Sequence, residues 1–217
     1  MIKFEHTDVW GFEHAIRGMR NPFASWDKSD SHWSSMEYEG EVVGNDKYFV
    51  GENDLDLMKR LRNAGSDHRK YLRQIMVSVD ITAPLYWWKE FDTYKVGTVA
   101  NSESTMHCIH KKEFTLDDFS CEHLCGEWLD NLKNTIKLLN DARGAYNWCN
   151  TDAKKDWWWQ MIQLLPSSYN QKRTVTMNYE NLLNMYHSRK GHKLDEWKVG
   201  FCDWVKSLPY SELIVGD

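Results

Sequence analysis

Between Ile75 and Thr82 the sequence alternates strictly, with Ile75, Val77, Val79 and Ile81 on one side and Met76, Ser78, Asp80 and Thr82 on the other. A period of two with β-branched residues on one side is the pattern of a strand that buries one face. The chain is therefore built around at least one sheet. Pro84 ends this strand, and the run LYWWKEFDTYK behind it predicts a helix with Pro near its first turn. Gly97 to Asn101 then reads as a break, with a loop to follow.

Elsewhere the period changes to that of helices. Leu55, Met58 and Leu61 predict a helix over 54–64, capped by Asn53 or Asp54 and stopped at Gly65. Thr115 and Asp118 approximate a capping box ahead of Phe119, Leu124, Trp128, Leu132, Ile136 and Leu139, which predicts a long helix over 116–142. Asp152 can cap the next, carrying Trp157, Trp158, Met161, Leu164 and Leu165 up to Pro166. Arg173 to Met177 alternates again as a short strand. Asn178 can cap a helix with Leu182, Leu183 and Tyr186, closed by Gly191, and a last amphipathic helix carries Leu194, Trp197, Phe201, Trp204 and Val205 before Pro209. The first fifty residues read as irregular, punctuated by Gly11, Gly18, Pro22, Gly40 and Gly44. Ser25, Asp27, Ser29, Asp30, Ser31, Ser34 and Ser35 there favour loops and caps. Trp10, Phe12, Phe23, Trp26 and Trp33 in that segment would be costly to expose, so it is expected to order against something. The fold class is α+β, a mixed sheet packed with long helices in a single domain over 1–217.

Charge and motif content exclude several classes of function. Lys plus Arg number 27 against 32 Asp plus Glu, a net charge of -5 without a basic run, which argues against a nucleic-acid polymer as partner. No apolar stretch approaches the roughly 20 residues that span a bilayer, and MIKFEHTDVW lacks a signal-peptide core, so a soluble intracellular protein is expected. Five cysteines, an odd number, point to reduced thiols. His107, Cys108, His110, Cys121, His123 and Cys125 cluster in sequence without a Cys-two-residues-Cys pair, so no metal is expected. Neither a glycine-rich phosphate loop nor a G-x-S-x-G elbow is present. Twelve Trp, ten Tyr and eight Phe fit core and interface packing, or a surface that stacks flat rings.

Two polar segments carry the chemistry. Asn101, Ser102, Glu103, Ser104 and Thr105 gather hydroxyls and a carboxylate at the start of an element, where backbone N–H groups can meet an anion or simply be capped. Asn178, Asn184 and Arg189 stand at i, i+6 and i+11. At about 100° per residue this puts Asn184 roughly 120° and Arg189 roughly 20° from Asn178, so that Asn178 and Arg189 share a face. Arg189 offers a fork for a phosphate or a pyrimidine carbonyl edge and the asparagines match a ring amide; surface solvation is the other reading.

Together these segments resemble the flavin-dependent thymidylate synthases. That family shows a Leu-Pro, an Asn twelve residues beyond the Pro, then an Asn six and an Arg eleven residues further on, as do Pro166, Asn178, Asn184 and Arg189 here. After a strand ending in Ala-Pro, here Ala83-Pro84, it carries Arg-His-Arg and then Asn-Glu-x-Ser-x-Arg, of which Asn101 and Ser104 match the Asn and Ser. This chain departs at Thr93-Tyr94-Lys95, at Met106, at Glu103, which is displaced by one, and at Glu180, where an Arg often contacts flavin. The wording FDTYKVG and NSxSTMH is similar to that of divergent, phage-like members.

The resemblance implies a homotetramer with active sites shared between subunits, in a cytoplasm that for a phage protein would be the host's. It implies methylation of dUMP to dTMP with FAD, NADPH and methylenetetrahydrofolate. Ser104 and Arg189 would hold the dUMP phosphate or base, with Ser102, Glu103 and Thr105 as neighbours. Asn184 would contact pyrimidine or flavin, and Lys95, Asn101 and Asn178 would serve FAD. No protein nucleophile is implied, and none of Cys108, Cys121, Cys125, Cys149 or Cys202 follows a Pro, as the other class of thymidylate synthase requires. The alternatives are a related flavin and folate enzyme that leaves, for example, a hydroxymethyl group, and a silent nucleotide-binding homologue.

Overall fold

The computed structural model describes residues 2–34 and 47–216, with 37–38 and 41–42 between them described in backbone only. Ser35, Gly40 and Gly44 of the sequence reading lie outside the described residues. In chain order the elements are β1 (Lys3–Trp10), α1 (Phe12–Arg20), β2 (His32–Ser34), β3 (Glu37–Tyr38), β4 (Glu41–Val42), β5 (Lys47–Phe49) and α2 (Glu52–Asn63). A 3-10 turn, Arg69–Gln74, leads into β6 (Met76–Pro84), α3 (Leu85–Phe91), β7 (Val99–Ser102) and α4 (Thr105–Cys108). They are followed by α5 (Gly126–Trp148), α6 (Lys154–Leu164), β8 (Asn170–Asn178), α7 (Tyr179–Arg189), α8 (Cys202–Lys206) and α9 (Glu212–Val215).

Four strands form one sheet in the order β1-β6-β8-β7, and β2 pairs antiparallel with β5 from His32 opposite Phe49 to Ser34 opposite Lys47. The α+β class follows. Ile75, Val77, Val79 and Ile81 are all buried, as their alternation requires, while Met76, Ser78, Asp80 and Thr82 stay half-buried. No helix among the described residues is long and apolar enough to cross a membrane.

The chain packs into two compact units. The first comprises residues 1–5, 79–95 and 100–175, the second residues 6–78, 96–99 and 176–217. In the first, α5 lies along α6 and buries Leu132, Ile136, Leu139 and Ala142 against Met161, Ile109, Phe114 and Phe119. In the second, α7 packs on α9 and on the 69–74 turn, and α1 packs on the same turn.

Several expectations are corrected. Residues 3–20 of the N-terminal segment, read as irregular, form a strand and a helix. Phe12, Ala15, Ile16 and Met19 are the buried stripe of α1, at helical spacing. The glycines that had signalled breaks are sites of close approach. A Cβ at Gly11, whose φ is +95°, would lie 2.1 Å from the Gln74 carbonyl oxygen, and one at Gly18, inside α1, 2.5 Å from Gln74 Oε1. Strand β1 gave no signal because only Phe4 and Val9 of it are even half-buried. Of the aromatics expected to be covered only Phe12 is; Trp10, Trp26 and Trp33 stay exposed and Phe23 is 84% exposed.

Helix α2 begins at Glu52, and its cap is neither Asn53 nor Asp54. The carboxylate of Asp30 accepts from the backbone N–H groups of Asn53 at 2.9 Å and Asp54 at 3.1 Å. This releases Asp54, fully buried, to receive Arg20 Nε at 2.6 Å and the hydroxyls of Ser29 at 2.6 Å and Ser31 at 2.7 Å. The loop expected after Gly97 contains strand β7, whose four residues are all exposed and so leave no apolar alternation. The helix expected over 116–142 starts ten residues later. The Thr115–Asp118 capping box forms, but it closes a 3-10 turn, after which Phe119 is extended and bridges Tyr169. Leu124 and Trp128, counted into the apolar stripe, are exposed. Before α8, residues Glu196–Phe201 form a π-helical turn, and α9, which buries Leu213 and Ile214, was not anticipated.

Candidate functional site

In the first unit, the hydroxyl-rich bend follows β7. Asn101, Ser102 and Glu103 are exposed, and Ser104 and Thr105 are half-buried. Ser104 caps α4, its hydroxyl accepting from the N–H of His107 at 3.3 Å. The bend is locked to β8 on both sides of its backbone: Glu103 N–H donates to the Lys172 carbonyl at 3.0 Å, and Gln171 Nε2 donates to the Glu103 carbonyl at 2.8 Å and to Thr105 Oγ1 at 3.1 Å. Gln171 is itself held, since Oε1 accepts from Arg173 Nε at 3.0 Å. Arg173 reaches Asp92 at 2.7 Å and lies over the ring of Trp88, 4.2 Å from its centroid. Trp88 closes the circuit by donating from Nε1 to the Gln171 carbonyl at 2.9 Å. Preorganisation of this kind fixes a polar loop without spending the side chains of Ser102 and Glu103. Lys95, at the end of the same unit's α3 turn, is exposed.

In the second unit, Asn178 forms a reciprocal box with Asn181. Its side chain accepts from Asn181 N–H at 2.9 Å, and Asn181 Oδ1 accepts from Asn178 N–H at 3.1 Å. Asn181 Nδ2 also donates to the Val96 carbonyl at 2.7 Å, which draws in Gly97. A Cβ there would sit 3.0 Å from Asn181 Oδ1 and 3.2 Å from Asn178 Nδ2, and φ at Gly97 is +77°. Asn178 is buried and extended (φ −121°, ψ 169°). The helical phase therefore starts at Tyr179, which corrects the expectation that Asn178 and Arg189 share a helix face. Asn184 and Arg189, five residues apart, diverge by about 140°. Asn184 is exposed, and Arg189 is half-buried with its guanidinium 4.9 Å from the centre of the Trp197 ring.

Beside this box stands a charged cluster that sequence reasoning missed. Glu180 is buried and receives Nε of Arg69 at 3.3 Å and Nε of Arg73. Burial alone would raise its carboxyl pKa, but the hydrogen bonds and charges of the two arginines outweigh that and lower it. Two turns on, His187 Nε2 lies 3.2 Å from Arg62 Nη2. The His187 pKa is lowered by burial and then by Lys190, Arg62 and Arg69, so its surroundings are positive. The run His68-Arg69-Lys70-Tyr71-Leu72-Arg73 ahead of β6 was the available signal.

The second unit also holds a cavity of about 1010 Å³, lined by Trp10, Phe12, Trp33, Tyr48, Phe49 and Tyr210 among others, with Glu13, His14 and Lys47 also in its lining. Glu13 Oε2 accepts from Trp33 Nε1 at 3.3 Å, and Tyr210 OH accepts from Val50 N–H at 3.1 Å. Its aromatic lining gives the exposed ring surface that the Trp and Tyr content had raised. None of the residues read from the sequence as site residues lines it. Among the described residues, no three His, Cys, Asp or Glu side chains gather as metal ligands.

Neither a protein-family model nor a curated protein matches the sequence. Solved structures do match the fold. A flavin-dependent thymidylate synthase, ThyX, from Helicobacter pylori complexed with FAD and dUMP superposes with a TM-score of 0.67 at 14% identity, covering 99% of this chain and 97% of that one. A second structure of ThyX from that organism with FAD and dUMP gives 0.65 at 15% identity, covering 99% and 96%. A UMP/dUMP methylase, PolB, from Streptomyces cacaoi bound with 5-Br dUMP gives 0.54 at 14% identity, covering 97% and 93%. The chain has the fold of the flavin-dependent thymidylate synthases, along nearly its whole length.

Proposed function

We propose that the protein is a flavin-dependent enzyme that methylates dUMP to dTMP, with methylenetetrahydrofolate as one-carbon donor and NADPH as reductant, working as a cytoplasmic homotetramer. The observation that carries this reading is the fold shared over 99% of the chain with proteins solved with FAD and dUMP. The order of Pro166 ahead of β8, Asn178 at its end, and Asn184 and Arg189 along α7 supports it.

The residues fit a flavin nucleotide in chemistry. Lys95 offers a cation, and the side chains of Asn101 and Asn184 are exposed and make no hydrogen bond among the described residues. Asn178 spends its oxygen on Asn181 and keeps Nδ2 beside Gly97. Bound FAD would supply the hydride that completes the methyl group. The protein's own part is binding and orientation: Arg189, braced against Trp197, has the planar guanidinium geometry that suits a phosphate or carbonyl edge. Ser104, with Ser102, Glu103 and Thr105 on the bend that Gln171 locks, supplies hydroxyls and backbone donors. No side chain is assigned as a nucleophile.

Purified protein supplied with FAD is expected to show the flavin absorption band, and with dUMP, methylenetetrahydrofolate and NADPH to yield dTMP by mass spectrometry. A protein that binds dUMP but stays colourless in excess FAD is a silent homologue, and the proposal fails. Arg189→Ala is expected to weaken dUMP binding by about 1.5–3 kcal/mol in calorimetry, the worth of a charge-assisted contact; unchanged affinity removes Arg189 from the site.

A second reading is favoured by the likeness to a methylase of UMP as well as dUMP, together with the uncharged Thr93 and Tyr94. In it the acceptor is a ribonucleotide or the product carries a hydroxymethyl group. Competition between UMP and dUMP, with product masses, decides between them.

A further inference from the structure

We infer that Arg69 and Arg73, held on Glu180, form a binding site for the phosphate group of a nucleotide ligand, centred on the exposed face of α7 at Asn184. The identity of the nucleotide rests on the function proposed above; the anion site does not.

Three observations carry this. First, both arginines reach Glu180 through Nε alone, one on each carboxylate oxygen. A guanidinium has five N–H donors. Among the described residues the Nη groups of neither arginine have another hydrogen-bond partner, so two forks remain unengaged on a carboxylate that can neutralise only one of them. Arg73 keeps 56% of its side chain exposed while bonded to Glu180 through Nε.

Second, Glu180, Asn184 and His187 fall at i, i+4 and i+7 and lie on one stripe of α7. Arg69 and Arg73 stand at its first position and Arg62 at its last, with Nη2 against His187. Asn184 between them is exposed and makes no hydrogen bond among the described residues, so an amide donor lies in a row of cations.

Third, the pKa of His187 is depressed first by burial and then by the charges of Lys190, Arg62 and Arg69, which places three cations around the last position of the stripe. Glu180 is committed to the two arginines, Asp67 acts on Arg73, and Glu212 is ion-paired with Lys59. A dianionic phosphate with geometry matching a guanidinium fork is the ligand class that fits a surplus of this sign and shape. The backbone fixes the platform, since Tyr179 N–H donates to the Ile75 carbonyl at 3.0 Å and so ties the arginine-bearing turn to the start of α7.

The test titrates the full-length protein calorimetrically with inorganic pyrophosphate, with dUMP beside deoxyuridine, and with FAD beside riboflavin. Arg73→Gln is expected to weaken pyrophosphate roughly ten- to a hundredfold, the loss of one charge-assisted contact, with Arg73→Lys in between because it keeps charge without the fork. One phosphorylated ligand should lose affinity in parallel while its phosphate-free counterpart does not. Loss for dUMP assigns the nucleotide monophosphate, loss for FAD the flavin diphosphate. Pyrophosphate that fails to bind the wild type, or binds Arg73→Gln equally well, overturns the site; so does an equal loss for deoxyuridine or riboflavin, which would mark a packing role. If neither dUMP nor FAD binds the wild type, the proposed function fails, and pyrophosphate still decides the anion site. Should Arg73→Gln lose the near-ultraviolet circular dichroism of the wild type, the Lys variant carries the comparison. Arg60→Gln, on the exposed Asp56 pair of α2, controls for general charge loss.

Discussion

Asp54→Ala is expected to lower the free energy of unfolding by about 3–5 kcal/mol, because it strips the counter-charge from a buried guanidinium. Arg20 is as enclosed as Asp54, with side-chain exposures of 5% and 0%. Its Nη groups donate to the carbonyls of Ser25 and Lys28, both at 3.1 Å. The Ala variant therefore also orphans the hydroxyls of Ser29 and Ser31, whose shared acceptor is Asp54 Oδ2. Urea unfolding of Asp54→Ala, Arg20→Met and the double variant checks this. The double should lose clearly less than the sum of the singles, and additive losses would mean that the two residues act independently.

The same pair sets an acid limit. Burial alone would raise the Asp54 carboxyl pKa, but Ser29, Ser31 and Arg20 outweigh it and leave the value lowered. A depressed folded-state pKa gives stability that is present above the ordinary carboxylate pKa of about 4 and is lost as pH falls through the folded value. Acid titration of Asp54→Asn should show a shallower loss of stability below that pH than the wild type.

Trp88→Ala is expected to cost a similar amount, about 3–5 kcal/mol for a large buried aromatic. Trp88 is 1% exposed, meets Trp87 and Phe91 edge to face, lies under Arg173 and donates to the Gln171 carbonyl. Its removal withdraws the floor from the network that locks Glu103 and Thr105, so under the proposed function dUMP affinity should fall along with stability. Trp88→Phe keeps a ring there and gives up the N–H donor, which leaves a buried carbonyl unpaired at about 1–3 kcal/mol. Equal losses for the two variants in denaturant would show that the hydrogen bond, and not the ring, holds the site.

The local parts of this architecture were legible in the sequence. The period of two from Ile75 to Ile81 located β6, and Asn178 was read as a helix cap from its place before Leu182 and Leu183; both are borne out. Helix α1 was equally legible in Phe12, Ala15, Ile16 and Met19, but the glycines beside and within it read as punctuation because their cause, Gln74, lies about sixty residues away. Strand β1 could not be read, since a strand that buries almost nothing shows no alternation. For the site, residue types and spacing gave Ser104, Asn184 and Arg189 as candidates. The Glu180 cluster depends on partners 107 and 111 residues distant, and no spacing rule brings Arg69 and Arg73 to it. Gln171, which locks the bend, gave no signal, because its partners Glu103 and Thr105 lie 68 and 66 residues away.

Gln74 fills the space that two glycines leave, its main chain against Gly11 and its side chain against Gly18. At Gly18 the exposed Gln74 side chain can swing aside, whereas any side chain at Gly11, whose φ is +95°, must push the Gln74 main chain and with it the buried Ile75 just ahead of the central strand. A saturation scan of the chain should therefore find its least forgiving surface corner there, and amide exchange should show α1 and the turn at 69–74 opening as one cooperative unit.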